Sequence, residues 1–107
     1  MTRYEIKLTS IDQSFLCTLG GVSYRMTLRW NSALVGEWIL GIHDANDKPI
    51  VDGIALVAGI NLLGEFDYLY IGGTGGYLYC GTDGQWTVDP TQTNLGVTSH
   101  LIWEPYA

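Results

Sequence analysis

Apolar and polar residues alternate along residues 24–44, and a short polar and glycine-containing break interrupts the alternation once. Before the break, every second residue is apolar: Tyr24, Met26, Leu28 and Trp30. After the break, Trp38, Leu40 and Ile42 repeat the pattern. A period of two is typical of a half-buried strand. The pattern therefore predicts a β-hairpin over residues 24–44, with Arg25 and Arg29 on the outward face of its first strand.

Two shorter segments of the same kind precede this hairpin, at residues 4–8 and 15–19. Gly20-Gly21 separates the second segment from Val22, and a two-residue glycine connection favours a tight hairpin turn. After the central hairpin, the turn formers Asp44–Pro49 lead into a further apolar stretch. The first half of the chain is therefore predicted to be an antiparallel meander.

Glycine makes the middle of the chain ambiguous. Asp52-Gly53 is compatible with a turn or with a bulge that bends one strand, and both interpretations stay open here. Residues 54–63 contain two apolar runs divided by Ala58-Gly59. These runs suit either a strand that returns to the core or a corner between two sheets.

A second hairpin is predicted around the glycine-rich segment Gly72–Gly76, which joins residues 68–71 to residues 77–80. No lysine or helix pattern follows these glycines, so a phosphate-binding loop is not favoured. Pairing of the two arms would bring four tyrosines onto one face. These tyrosines are candidate interface residues: Tyr68, Tyr70, Tyr77 and Tyr79.

Two more strands are predicted towards the C-terminus. Asp83-Gly84 is a strong hairpin signal before residues 85–88, and residues 97–103 suit a closing strand. No segment has a sustained helical period, and the pattern indicates about eight or nine short strands. The predicted fold is all-β: one domain over residues 1–107, forming a small antiparallel β-sandwich or a partly open β-barrel.

Composition points towards assembly with other proteins. Of the 107 residues, 47% are hydrophobic and only 15% are charged, whereas charged residues make up about 25% of a typical domain. A surface with so few charges is better suited to burial against a partner than to a free monomer. We therefore expect the protein to form a homo-oligomer or to bind other proteins.

The charge balance excludes one class of partner and suggests another. With five Lys and Arg residues and a net charge of −6, the chain has no cationic footprint for nucleic acid. Arg25 and Arg29 could contact an acidic neighbouring protein, and the alternative is a solvated strand face. The sequence also contains no apolar stretch long enough to span a membrane.

No motif predicts catalysis or cofactor binding. Cys17 and Cys80 fit core positions, and His43 and His100 lack cysteine ligands at zinc-site spacing. Asp44, Asn46 and Asp47 favour a turn over a calcium site. We therefore predict no metal, no cofactor and no enzymatic activity.

Aromatic residues leave one alternative function open. The four tryptophans are Trp30, Trp38, Trp86 and Trp103. They suit core or interface positions, but Trp38 or Trp86 could also stack on a sugar. Carboxylates for glycoside hydrolysis would have to come from Glu37, Glu65, Asp67 or Asp83, and the sequence does not fix their separation. The alternative is thus a carbohydrate-binding β-module using tryptophan and tyrosine side chains.

The order and spacing of several short motifs extend over nearly the whole chain. The motifs are Gln13-Ser14-Phe15, Tyr24 with Trp30-Asn31, Trp38, Gly53, Gly59 with Leu62-Leu63, and Leu95-Gly96. In this respect the chain resembles the tail baseplate plug proteins of bacteriophages, of the cyanophage type. The tyrosine segment Tyr68–Tyr79 matches no motif of that family.

The resemblance implies a non-enzymatic, β-structured virion component that lies in the tail baseplate and helps to close the tail tube. Its implied partners are other baseplate proteins, at the central hub or spike. The chain begins without a recognisable signal peptide, so we expect synthesis in the host cytoplasm. Neither a specific nucleic-acid ligand nor a membrane is expected.

Overall fold

The computed structural model describes residues 3–32, 36–73 and 75–106, except for the side chains of Asp67 and Tyr68. Segments in which apolar and polar residues alternate form strands, because successive side chains of a strand point to opposite faces. The apolar row then faces the core and the polar row faces solvent. Within the described ranges there are seven strands: β1 Tyr4–Ile6, β2 Gln13–Leu19, β3 Val22–Asn31, β4 Glu37–Asp44, β5 Pro49–Ala55, β6 Gly76–Thr82 and β7 Ser99–Pro105. One kinked 3₁₀ helix, Gly64–Leu69, lies between β5 and β6.

The strands form two antiparallel sheets. The larger sheet has the order β2-β3-β4-β5, and the smaller sheet has the order β1-β7-β6. Both sheets contribute to one cluster of buried side chains, and they do not close into a barrel. The predicted all-β antiparallel fold is confirmed, and of the two predicted architectures the open sheets fit the β-sandwich.

The predicted hairpin over residues 24–44 is present as β3 and β4. Trp30 lies directly opposite Trp38, and the two indole rings meet edge to face with centroids 5.4 Å apart. Trp38 is buried, whereas Trp30 is half-buried. The indole N–H of Trp38 donates a hydrogen bond of 2.9 Å to the carbonyl of Thr91, which ties the hairpin to a distant loop.

The neighbouring connections follow the glycine signals. Gly20 and Gly21 have φ angles of 58° and 83° and join β2 to β3 as the predicted two-residue turn. Within β5, Gly53 has a φ of 79°, and the pairing of β4 with β5 shifts register between Leu40 and Ile42. Asp52-Gly53 is therefore a bulge within a strand and not a turn.

Inward-facing residues of both sheets form the core. The cluster includes the following fully buried side chains: Met26, Leu28, Leu40 and Ile42 from the larger sheet, and Leu78, Cys80, Leu101 and Trp103 from the smaller sheet. Burying a large aliphatic or aromatic side chain stabilises the folded state by roughly 1.5–3 kcal/mol. Removing this apolar surface from water holds the two sheets together.

The predicted tyrosine hairpin is wrong in its first arm. Residues 64–69 form the 3₁₀ helix, and Tyr70 then takes a φ of 47° as its carbonyl accepts a hydrogen bond from the N–H of Gly73. Ile71 packs into the core instead of pairing with β6. Leu69 and Ile71 cover the core from the end of the 3₁₀ helix and from the turn that follows it. Their alternation with polar positions therefore does not indicate a strand.

Two other segments do not form the strands that the pattern allowed. For residues 54–63 the returning strand is wrong, whereas a corner between the two sheets is compatible with the structure, because the segment leaves β5 of the larger sheet and Leu62 hydrogen-bonds to β6 of the smaller sheet. β5 ends at Ala55, and Leu56, Leu62 and Leu63 enter the core from irregular chain. The Asp83-Gly84 turn is present and joins Thr82 to Gln85 through a single bridge, but residues 85–88 do not continue as a strand. Because these two segments do not form strands, the described ranges contain fewer strands than the eight or nine predicted.

No helix in the described ranges has the length and apolar character needed to cross a bilayer.

Candidate interaction surfaces

The outer face of the smaller sheet carries an open groove with a volume of about 680 Å³. Tyr77 and Tyr79 occupy alternate positions of β6, so their side chains project outward on the same face. The opposing strand β7 places Glu104 across from Tyr77 and Ile102 across from Tyr79. Two predicted interface residues are thus brought together in one concave surface, which we call the aromatic groove.

Four aromatic rings form two edge-to-face pairs in and beside this groove. Tyr77 meets Tyr106 edge to face at a centroid distance of 4.8 Å, and Tyr79 meets Trp86 at 6.4 Å. Tyr77 is 41% exposed and Trp86 is 45% exposed. Large exposed apolar side chains grouped on one face are typical of a protein interaction site.

A glycine in β6 makes room for Trp86. A Cβ atom at Gly81 would overlap the six-membered part of the Trp86 indole and press against its Cα atom. The indole therefore lies directly against the strand backbone, where it forms one wall of the groove. The sequence predicts Trp86 only as a core or interface anchor or a sugar platform, because no local pattern indicates that the chain after Asp83-Gly84 folds back over β6.

The other two predicted tyrosines do not join this row. Tyr70 is exposed in the turn that follows the 3₁₀ helix, so it does not pair across a hairpin with Tyr77 or Tyr79. Tyr68 belongs to the 3₁₀ helix, and its side chain lies outside the described part of the structure. The predicted face of four tyrosines is therefore corrected to a pair on β6.

Arg25 and Arg29 lie on the outer face of the larger sheet, away from the aromatic groove. Both belong to β3, and the buried residues of that strand alternate with them. The Arg25 guanidinium donates a hydrogen bond of 3.2 Å from Nη1 to the hydroxyl of Ser14 on β2. Neither arginine forms an ion pair with any residue in the described ranges. Both remain candidates for contact with an acidic neighbour.

Each histidine is held between two carboxylates. His100 Nδ1 lies 2.7 Å from Glu5, and its Nε2 lies 3.0 Å from Asp83. His43 Nδ1 and Nε2 each lie 3.0 Å from a carboxylate, Asp47 and Asp52 respectively. A neutral imidazole has only one N–H, so donating to both partners requires the protonated ring. These hydrogen bonds raise the pKa of both histidines above the ordinary value of 6.5.

We call each histidine with its two carboxylates a clamp. No local pattern predicts the clamp around His100, because Glu5 is 95 positions away from it. For His43, only the spacing of four residues to Asp47 hinted at a contact. In both clamps the two carboxylates hydrogen-bond to the two ring nitrogens. The clamps therefore tie strands and turns together.

Replacing Glu5 with glutamine should lower the pKa of His100 towards 6.5, because the largest cause of its elevation is the hydrogen bond to Glu5. The clamp stabilises the fold fully below the unfolded-state pKa, and this stabilisation is lost as the pH rises through the elevated folded-state pKa. An NMR titration of the imidazole ring protons measures the change. Glu65→Gln, on the exposed side of the 3₁₀ helix, serves as the control. An unchanged His100 pKa in E5Q would contradict the assignment.

The two cysteines are unsuited to nucleophilic chemistry. Burial raises the pKa of the Cys80 thiol to about 12, with a further contribution from the negative charge of Asp89. Burial also raises the pKa of the half-buried Cys17 thiol. Both thiols are therefore protonated near neutral pH. Within the described ranges, no three His, Cys, Asp or Glu side chains converge as a metal site.

Comparison with known proteins identifies a family match over almost the whole chain. The family model described as cyanophage baseplate Pam3 plug gp18 matches residues 3–106. The matched range includes both sheets, the aromatic groove and the two histidine clamps. A search of curated proteins found no match.

Proposed function

The chain belongs to the cyanophage baseplate plug family and is thus a structural component of a phage tail baseplate, in which we propose that it helps to close the tail tube before infection. In this proposal the protein acts by binding its neighbours and has no enzymatic activity. Its partners are baseplate proteins of the central hub or spike. It is made in the host cytoplasm as a single β domain. There it assembles with its baseplate partners and with further copies of itself.

The aromatic groove is the observation that carries the proposed contact with a hub or spike protein. Tyr77 and Trp86 are large, partly exposed and held in place by neighbouring rings. Aromatic side chains of this kind contribute a disproportionate share of binding energy when a partner covers them. Since the rings are already positioned in the free chain, little side-chain entropy is lost on binding.

Residues outside the groove provide secondary contacts in this proposal. Arg25 and Arg29 face outward from a chain that has a net charge of −6, so an acidic partner surface would complement them locally. Tyr70 is exposed and available for contact, and the interface role of Tyr68 stays a prediction from the sequence. These surfaces lie on different parts of the fold, which suits a subunit enclosed by several neighbours.

Replacing Tyr77 and Trp86 together with alanine should reduce incorporation of the protein into virions about tenfold or more. Two interface aromatics that each contribute at least ~1 kcal/mol account for a loss of this size. The variant is supplied in trans to a phage lacking the gene, and quantitative mass spectrometry of purified particles measures its occupancy. Val57→Ala, at an exposed apolar position outside the groove lining, is the matched control.

Two results would contradict this proposal at different levels. Normal incorporation of the double variant would exclude the aromatic groove as the contact surface while leaving the baseplate role intact. Absence of the unmodified protein from purified particles would overturn the proposal that it acts within the assembled tail. Circular dichroism of the double variant establishes that its fold is retained.

A carbohydrate-binding module is the second candidate function, because the exposed Trp86 ring stands beside Tyr79 in an open groove. A sugar could stack on the indole and hydrogen-bond to the ion-paired side chains of Arg3 and Glu104, which also line the groove. A glycan array and tryptophan fluorescence test this directly. Binding that is lost in Trp86→Ala would favour the module, and the absence of any signal would remove it.

A further inference from the structure

The two open sheets have four edge strands, and three of these edges are blocked in different ways. An unblocked edge exposes unpaired backbone N–H and C=O groups that can pair with another chain. β1 is short, with three residues, and is surrounded by the charges of Arg3, Glu5 and Lys7. At β6, the carbonyl of Leu78 accepts a hydrogen bond of 2.7 Å from Leu62, so irregular chain covers that edge.

β5 is blocked by its own sequence. It begins with Pro49, contains the charged side chain of Asp52, and is bent by the bulge at Gly53. Proline, charge and bulges are the usual means by which natural sheets prevent pairing at an edge. Among the edge strands that the structure describes, only β2 is therefore left unblocked.

β2 has none of these features. Its seven residues, Gln13–Leu19, include no charge, no proline and no glycine, and they pair with β3 without a register shift. On its outward face, Leu16 is 61% exposed and lies between the exposed side chains of Ser14 and Thr18. An uncharged, regular and partly apolar edge of this length is a ready site for strand pairing.

The hairpin geometry shows which backbone groups of β2 are free. Leu19 and Val22 close the two-residue turn, so they form a hydrogen-bonded pair, and such pairs alternate along an antiparallel ladder. The N–H and C=O groups of Ser14, Leu16 and Thr18 therefore point away from β3. No other segment in the described ranges hydrogen-bonds to these groups.

We propose that β2 pairs with β2 of a second copy of this chain, antiparallel and centred on Leu16, so that the two larger sheets become one continuous sheet. This inference deepens the proposed self-assembly and rests on it. The central register places Leu16 opposite Leu16 of the other copy and Ser14 opposite Thr18 of the other copy. Three such pairs, each exchanging two hydrogen bonds, give about six backbone hydrogen bonds.

Self-complementarity favours a second copy as the occupant. In the two-fold register, Leu16 is buried against Leu16 of the other copy. On each side of this pair, the hydroxyl group of Ser14 from one copy lies opposite the hydroxyl group of Thr18 from the other. The Arg25 guanidinium already reaches over β2 to the hydroxyl of Ser14, at 3.2 Å. In the pair, the same guanidinium comes within reach of the hydroxyl of Thr18 from the other copy. The two-fold axis repeats this contact on both sides.

The negative net charge of the chain does not oppose this pairing locally. β2 carries no carboxylate. Asp12, which precedes it, accepts a hydrogen bond from the N–H of Trp30 on β3, and in the central register it falls opposite Gly20 of the other copy, which has no charge. Asp47 and Asp52 belong to the far side of the larger sheet, beside β5. The contact buries little surface beyond the paired strands and is therefore weak by the standards of obligate dimers. We expect a Kd on the order of 10–100 µM for the isolated protein.

Sedimentation velocity of the full chain from about 5 to 500 µM tests the pairing. The unmodified chain should shift from monomer to dimer as concentration rises, and Leu16→Lys should weaken dimerisation at least tenfold, because two lysines would face each other across the new strand pair. Val57→Lys is the matched control: Val57 is 37% exposed and follows β5, at the opposite edge of the larger sheet from β2. It should dimerise normally. A monomer at all concentrations, or a dimer unaffected by L16K, would overturn the proposal.

Cysteine cross-linking tests the register. Starting from a chain in which Cys17 is replaced by serine (C17S), the additional substitution L16C should allow a disulfide-linked dimer to form under an added oxidant. S14C should not do so, because position 14 faces Thr18 of the other copy. Cross-linking of S14C at the same rate as L16C would indicate parallel pairing and would contradict the antiparallel register.

This test and the virion experiment can fail independently. If the protein is abundant in virions but monomeric in solution, the baseplate role stands and the β2 pairing falls. If it dimerises through β2 but is absent from virions, the pairing stands and the role in the tail falls.

Discussion

Replacing Trp38 with alanine is expected to lower the free energy of unfolding by about 3–5 kcal/mol. Trp38 is only 1% exposed and packs into the core at the end of the hairpin where β3 leads into β4. Its removal would leave a cavity, end the edge-to-face contact with Trp30, and leave the carbonyl of Thr91 without the indole N–H. Urea unfolding followed by circular dichroism measures the change, since fluorescence would be altered by the loss of the indole itself.

Trp30→Ala is the matched control for this prediction. The two tryptophans are cross-strand partners, but Trp30 is only half-buried. Its loss should cost about 1–2 kcal/mol, because less apolar surface is re-exposed and the remaining space is open to water. Equal destabilisation by the two substitutions would contradict the assignment of Trp38 as the core anchor of the hairpin.

Gly96→Ala is expected to destabilise the fold by more than about 3 kcal/mol, as a steric clash with the backbone adds to an unfavourable φ. Gly96 has a φ of 80°, and a Cβ atom there would overlap the carbonyl group of Leu8. That carbonyl belongs to the chain between β1 and β2, so the overlap cannot be relieved by rotating a side chain. Thermal unfolding of the purified variant measures the effect.

Gly53→Ala separates the two contributions. Gly53 has nearly the same φ, 79°, but no atom lies within 4 Å of a Cβ atom built on it. G53A should therefore lose only the ~1–2 kcal/mol of a left-handed alanine. If G96A and G53A are destabilised equally, the close approach of residue 96 to Leu8 is not a structural requirement of the fold.

These expectations distinguish the residues that hold the fold from those that we propose make contacts. Trp38 and Gly96 act within the fold, whereas Tyr77, Trp86 and Leu16 are exposed, so replacing them should cost less stability than replacing Trp38 or Gly96. For a family of baseplate plugs, this separation allows incorporation into the virion and stability of the free chain to be tested independently.

The local pattern predicted the larger sheet well. Period-two alternation identified β2, β3 and β4, and Gly20-Gly21 identified the turn that sets the β2–β3 register. These features depend on neighbouring residues, because an antiparallel hairpin is closed by its own turn. The cross-strand pairing of Trp30 with Trp38 follows from that closure.

The candidate contact surface was only half predictable. Alternation placed Tyr77 and Tyr79 on one face of a strand, and β6 confirms this. It could not show that their partner strand is β7, that Trp86 folds back over Gly81, or that Tyr70 lies in a turn. In residues 64–71 the apolar side chains cover the core from a helix and a turn, and a short apolar pattern does not separate such packing from a strand.

The sequence by itself determined the all-β class, the meander of the larger sheet and the row formed by Tyr77 and Tyr79, because each depends on contacts between close neighbours in the chain. Only the tertiary structure decided the pairing of β1 with β7, the groove walls and the clamp of His100 by Glu5 and Asp83. It also decided which edge is left open, since blocking β6 takes Leu62 from a separate segment. Such contacts join residues far apart in sequence, and their loop-closure cost is met only when the whole core forms.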